Sequence, residues 1–227
     1  MKKNKKIMIL VLVAGLLAHG RVSAQSETIK KAVENVKQSV DTLVVARDGG
    51  ENGTDDLGLR IEAFKKVVSL SISEAKELKV RILLIEGEDK DLELWKEKTL
   101  ERLGLVMEYL INQEKKIASQ EVRDIEVLKA TAQLFKEWRE AVYVPLTEEV
   151  NEYFAVQKNG DVLKTAGLRA SKINKDIVKL QKTNPRKAAG LKILLSKANK
   201  IIEDGVEIRK DAEKAFREKY VDLLKIA

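Results

Sequence analysis

The sequence has 227 residues, with 43 Lys and Arg, 36 Asp and Glu, one His and no Cys. Charged residues make up 35% and aromatic residues 4%, and there are only two prolines. This composition favours helices over a β-sandwich, because sheets draw on aromatic and β-branched residues and need frequent turns. A chain of this length can bury the core of one ordinary domain.

The first 24 residues have the pattern of a secretory signal peptide. Lysines at positions 2, 3, 5 and 6 precede an apolar run at 7–18, and Val22-Ser23-Ala24 offers small residues for cleavage. The apolar run is too short for a transmembrane helix, which needs about 20 residues. We therefore expect residues 1–24 to be removed. Residues 25–227 would then form a single domain, periplasmic or secreted, with no transmembrane segment.

Cleavage would also remove the only histidine, His19, and would leave 38 basic against 36 acidic residues. A mature chain with neither His nor Cys cannot form a Ser-His-Asp triad, a thiol nucleophile, a disulfide or an ordinary zinc site. The sequence also contains no phosphate-binding loop and no dinucleotide fingerprint. We therefore predict that the protein is not an enzyme and uses no cofactor and no metal.

Apolar or small residues recur at alternating steps of three and four along most of the chain, as in helices that pack side by side or form coiled coils. The core residues that this spacing predicts in the first four helices include Val36, Phe64, Val68, Ser71, Ala75, Ile82, Trp95, Leu103, Leu110, Phe135 and Val142. A Gly-rich loop at 48–56 and an acidic stretch at 86–89 separate the first three predicted helices. A fourth helix is predicted over about 121–158. Pro145 predicts a kink in it near 141–144, because proline lacks the backbone N–H and clashes with the preceding turn.

The pair Asn159-Gly160 is predicted to end the fourth helix, with Asp161 as the N-cap of a fifth and Pro185 as the first residue of a sixth. The predicted packing seam of the fifth helix consists of Leu163, Ala166, Ala170, Ile173, Ile177 and Leu180. That of the sixth helix consists of Leu191, Leu194, Ala198, Ile201, Gly205, Ile208, Ala212 and Ala215. The sequence therefore predicts an all-α fold, an elongated antiparallel bundle of five to six helices with a Pro-kinked fourth helix.

A basic stripe is the sharpest candidate for function. Residues 161–200 contain 11 Lys and Arg against two Asp. The stripe recurs at steps of three and four and consists of Lys172, Lys175, Lys179, Lys182 and Arg186. It is a candidate anion-binding surface for an envelope polymer or a lipid surface. Nucleic acid is a weak candidate, because no aromatic residue between Phe154 and Phe216 could stack on a base. The favoured alternative is a solvated helix surface.

A second candidate is a ligand groove beside Pro145. Its predicted residues are Trp138, Arg139, Tyr143, Tyr153 and Phe154. Rings beside a kink could form a groove for a ligand or a partner helix, although such rings more often pack the kink itself. Arg139 and Glu114 are the clearest charged residues at seam positions. They would mark an internal polar site, unless they lie at the edge of the bundle with their charges in water.

These patterns favour a non-catalytic helical module, outside the cytoplasm, that binds an envelope component or a partner protein. The basic stripe would supply the attraction. Two alternatives stay open: a small helical enzyme that uses carboxylate and guanidinium groups, and a periplasmic chaperone-like binder with a concave apolar patch.

Overall fold

The computed structural model describes residues 26–48, 56–86, 89–119 and 124–225. The predicted signal peptide and the interior of the predicted Gly-rich loop lie outside these residues. Within them the chain is helical and contains no strand, which confirms the all-α prediction. The α-helices are α1 (Glu27–Asp48), α2 (Asp56–Leu83), α3 (Lys90–Ala118), α4 (Ile125–Trp138), α5 (Val144–Gln181) and α6 (Pro185–Phe216).

Three helix starts are fixed by side chains that accept a hydrogen bond from the first turn. Asp89 accepts from the N–H of Asp91 at 2.9 Å, and Asp124 accepts from the N–H of Val127 at 2.8 Å. Asn184 caps α6 in the same way, 3.2 Å from the N–H of Lys187. Each cap satisfies a backbone donor that has no partner inside the helix.

The chain divides into two compact units, one up to Glu148 and the other from Glu149 onward. The division falls within α5 and not at the predicted break at 159–160. In the first unit α2 packs against α1, α3 and α4. Its core contains the apolar positions predicted from the spacing: Val36, Phe64, Val68, Ala75, Ile82, Trp95, Leu103, Leu110 and Phe135. The expectation of a single domain over 25–227 stays a prediction.

A π-helical turn, Arg139–Tyr143, joins α4 to α5 just before Pro145. The N–H of Val144 donates to the carbonyl of Arg139, five residues back. Pro145 cannot donate, so the regular ladder has to be interrupted at this place. The extra residue in the turn places Tyr143 in the core and leaves Val142, a predicted core residue, 44% exposed. The kink angle itself stays a prediction.

The predicted helix end at 159–160 is wrong, because α5 continues through it to Gln181 and Asp161 lies inside the helix. Gly160 has a packing role instead. A Cβ built there would lie 2.7 Å from Nε of Arg209, which occupies the space beside the glycine. A glycine that admits a neighbouring helix can therefore look like a helix terminator in the sequence.

The second unit contains an antiparallel hairpin of α5 and α6. Near its open end the rings of Tyr153 and Phe216 lie 5.6 Å apart, and midway the side chain of Leu163 covers Gly205. Toward the turn, the core consists of Ala170, Ile177, Ala188 and Leu195, with Leu180 and Ile202 packed against it. After α6 come a second π turn, Arg217–Val221, and a 3-10 turn, Asp222–Lys225.

Candidate functional site

A buried polar cluster lies on α2 and the first π turn. Nη1 of Arg139 donates to Oγ of Ser71 at 2.5 Å, and Nη2 donates to Oε2 of Glu74 at 3.1 Å. The guanidinium also lies over the ring of Tyr143, 5.0 Å from its centre. Both charged side chains are largely withdrawn from water, with 11% of Arg139 and 20% of Glu74 exposed. The alternative that left the charge of Arg139 in water is therefore wrong.

Burial controls the protonation of this cluster. Desolvation raises the pKa of Glu74 above its ordinary value of 4.5, and the guanidinium of Arg139 opposes part of that rise. Desolvation also raises the pKa of Tyr143, with a further contribution from the charge of Glu74. A closed ion pair of this kind aligns two helices, and it offers no open position to a substrate.

The other charged residue predicted for an internal site, Glu114, is exposed. Its neighbour Gln113 is the buried one. The sequence spacing identified Arg139 and Ser71 as seam residues but did not identify Glu74. A carboxylate one turn beyond Ser71 on the same helix was the available signal, since a buried guanidinium needs an acidic partner.

The aromatic residues predicted to line one groove belong to two separate ring clusters. In the first unit Trp138 stacks on Tyr109 at 3.8 Å and lies parallel to Tyr143 at 6.5 Å. In the second unit Tyr153 packs against Phe154 at 5.5 Å, as well as against Phe216. Tyr143 and Tyr153 are buried, whereas Trp138 and Phe154 are half-buried. The predicted ligand groove stays a prediction.

The basic stripe is exposed along its whole length. Lys172, Lys175 and Lys179 lie on α5, Lys182 lies in the hairpin turn, and Arg186 lies in the first turn of α6. One acidic residue accompanies them: Asp176 lies 3.7 Å from Nζ of Lys179, in an ion pair whose side chains are 64% and 81% exposed. Such a solvated pair contributes at most about 1 kcal/mol and leaves both charges available to a partner.

An apolar groove runs along one side of the α5/α6 hairpin. It has a volume of about 580 Å³ and is lined by apolar residues of both helices, with Lys158, Asp161 and Arg169 at its edge. Its apolar lining consists of Val162, Ala166, Ala170, Ile173, Leu195, Ala198 and Ile202. The apolar spacing predicts a closed helix seam for most of these positions, so it does not reveal an open surface.

Most of the seam predicted for α6 is wrong as the contact with α5, although Gly205 does lie against Leu163 of α5. The structure places Ala188, Leu195 and Phe216 in the buried contact. The predicted seam residues Leu194, Ile201 and Ile208 are 62%, 72% and 69% exposed. Helix α6 therefore carries two neighbouring apolar stripes, and the sequence alone cannot decide which of them faces α5.

Within the described ranges, no group of three or more His, Cys, Asp or Glu side chains is placed to hold a metal ion. The helices of the same ranges include none with the length and hydropathy to cross a bilayer. Comparison of the chain with protein-family models, with curated proteins and with solved structures finds no match.

Proposed function

We propose that this chain is a non-catalytic helical module outside the cytoplasm that binds a linear anionic polymer of the cell envelope. The observation that carries the proposal is the exposed basic stripe, Lys172 to Arg186. Its four lysines follow one another at steps of three, four and three residues and have one acidic neighbour, Asp176. Long-range attraction of this kind concentrates a polyanion at the surface without a shaped pocket.

The geometry of the stripe favours a linear polymer. From Lys172 to Lys179 the helix rises by roughly 10 Å, so the first three ammonium groups of the stripe follow a line along the helix axis. Lysine is a compact point charge and lacks the planar fork with which arginine selects a single carboxylate or phosphate. The surface is therefore suited to repeated negative charges along a chain.

A lipid surface is less well matched, because the stripe lacks the aromatic anchors that hold many amphipathic helices on bilayers. The aromatic residues of the second unit lie outside the stripe, at positions 153, 154, 216 and 220. The non-catalytic part of the proposal is supported by a mature chain without His or Cys and by the closed pairing of Arg139 with Glu74.

The test is co-sedimentation of the protein with purified bacterial cell wall, at salt concentrations from about 50 to 500 mM. The stripe variant carries Lys172→Glu, Lys175→Glu and Lys179→Glu. A matched control carries Lys30→Glu, Lys37→Glu and Lys66→Glu, which are exposed residues of the first unit. The two triple variants have the same net charge, so a difference between them reports the position of the charges.

We expect the native chain and the control variant to bind at low salt and to dissociate as salt rises. The stripe variant should not bind. If both variants lost binding equally, net charge alone would explain the binding, and the proposal would be contradicted. In a parallel arm, vesicles of phosphatidylglycerol replace the cell wall, and binding to vesicles alone would assign the stripe to lipid.

A further inference from the structure

An apolar stripe of α6, beside the buried contact of that helix with α5, has the spacing of a helix-packing seam. It consists of Leu191, Leu194, Ala198, Ile201, Gly205, Ile208, Ala212 and Ala215, at alternating steps of three and four over 25 residues. Leu194, Ile201 and Ile208 are each more than 60% exposed. Leu163 of α5 covers Gly205, but these large apolar side chains on either side of it stay exposed. They call for another helix, because such spacing keeps one face in continuous contact.

The side-chain sizes along this seam are complementary to those of a second copy that runs in the opposite direction. In an antiparallel pair centred near residue 203, Leu191 faces Ala215 and Leu194 faces Ala212 of the second copy. Ala198 faces Ile208, and Ile201 meets Gly205 together with Leu163 of α5, which covers that glycine. The other three kinds of layer each combine one large and one small residue of α6, which lets two helices approach closely. A parallel pair would place Ile against Ile and Gly against Gly.

The charges of α6 match in the same orientation. Its first part, residues 185–202, contains five basic residues and no acidic one. The remainder, residues 203–216, contains five acidic and three basic residues. Antiparallel pairing places the basic part of each copy beside the acidic part of the other. At the free edge of the seam, Lys197 of one copy would lie near Asp211 of the second.

The groove of the hairpin continues the same face. Ala198 on α6 belongs both to the groove and to the exposed seam. From α5 the groove adds Val162 and Ile173, which are 59% and 51% exposed. We propose that the α5/α6 hairpin binds a second copy of this chain through the α6 seam. Two hairpins then form an antiparallel four-helix bundle that closes the groove.

The first test is the molar mass of the full chain in solution, by size-exclusion chromatography with light scattering. We expect a dimer for the native chain and a monomer for Ile201→Asp. The matched control is Ile193→Asp. Ile193 lies on the same helix and is 60% exposed, but it precedes the buried Leu195 by two positions and so points about 200° away from α5. The control should stay dimeric.

A second test determines the orientation of the two helices. The chain contains no cysteine, so Ala198→Cys and Ile208→Cys each introduce a single thiol. With a short bismaleimide, an antiparallel dimer gives a cross-linked product only when the two variants are mixed. A parallel dimer gives cross-linked products from each variant alone. Products from the separate variants would contradict the antiparallel arrangement.

A charge exchange tests the predicted edge contact. Lys197→Glu should weaken the dimer about tenfold or more, and Asp211→Lys in the same chain should restore it, since the contact is re-formed with its signs reversed.

A native chain that is monomeric at about 100 µM, far above a micromolar Kd, would overturn the proposal. If that monomer suppressed aggregation of a denatured reporter enzyme through Ile201, the occupant would be unfolded protein. The basic stripe takes no part in these measurements, so their failure would leave the proposed function standing.

Discussion

Arg139 and Ser71 are 68 residues apart in the sequence, and the guanidinium of one donates to the hydroxyl of the other at 2.5 Å. The same hydroxyl donates to the carbonyl of Val67 at 3.2 Å, so Ser71 links the arginine to the backbone of α2. Glu74 completes the pairing one turn later. Together these bonds compensate for the removal of a permanent positive charge from water.

Replacing one member of the ion pair should destabilise the first unit strongly. Arg139→Met leaves the carboxylate of Glu74 buried without its partner, and we expect a loss of about 3–5 kcal/mol in the free energy of unfolding. Urea unfolding followed by circular dichroism measures this loss.

The double variant Arg139→Met with Glu74→Met separates the cost of an unpaired charge from the contribution of the pair. We expect it to recover most of the lost stability, because two apolar side chains of similar volume need no desolvation of charge. A double variant as unstable as Arg139→Met alone would show that the hydrogen bond to Ser71 is the dominant contribution.

The pH dependence of stability should carry the signature of Glu74. The unfolded chain releases this proton near pH 4.5, and the folded chain holds it to higher pH because burial raises the pKa. Between those two values the folded state binds more protons, so this residue stabilises the fold fully below pH 4.5. That contribution is lost as pH rises through the folded pKa.

The measurement is the free energy of unfolding of the native chain and of Glu74→Gln from about pH 4 to about pH 8. The difference between the two curves isolates Glu74, because the other carboxyl groups titrate in both proteins. We expect the native chain to lose stability with rising pH in this range relative to the variant. A native curve that gains stability instead would mean that the pairing with Arg139 outweighs desolvation.

Two glycines of α5 should respond differently to the same substitution. Nothing lies within 4 Å of a Cβ built at Gly167, so Gly167→Ala should stabilise the helix by about 0.5–1 kcal/mol. At Gly160 the new methyl would meet the guanidinium of Arg209, whose Nε is buried. Gly160→Ala should therefore be less stable than Gly167→Ala in thermal unfolding. Equal gains would show that Arg209 moves aside at no cost.

The N-terminal segment gives a prediction that needs no variant. If residues 1–24 are a signal peptide, the protein purified from the envelope or the medium should begin at Gln25. Mass spectrometry of the intact protein measures this directly. A mass that includes residues 7–18 would indicate an uncleaved anchor.

The apolar spacing predicted the helical fold and most of the core of the first unit, because a buried face has to recur with the helix period. Val36, Val68 and Ile82 were identified in this way, and all three are at most 2% exposed. Pro145 likewise marked the region where the helix departs from regular geometry, since the missing N–H is a property of the residue itself.

Other features depend on contacts that a single helix pattern cannot reveal. The sequence pattern predicted that Gly160 would end a helix. Its actual role is to leave space for Arg209, and that contact between two helices cannot be recognised from the pattern of one helix. The spacing predicted Val142 in the core, but Tyr143 lies there instead, because the π turn contains one residue more than an α-helical turn. On α6 the chosen stripe was the exposed one, as Leu194 and Leu195 belong to two equally regular patterns and only the partner helix decides between them.

The π turn between α4 and α5 also indicates where this chain could become shorter. It holds one residue more than an α-helical turn, so removing one residue there would keep the later side chains close to their present angles. The hydrogen bond that Pro145 cannot donate would still be missing. Deletion of Val142, an exposed residue, should leave Tyr143 and Leu146 in the core. The same deletion within α2 would rotate every following residue of that helix by about 100° and separate Ser71 from Arg139. Homologues one residue shorter would therefore be expected to differ at this turn.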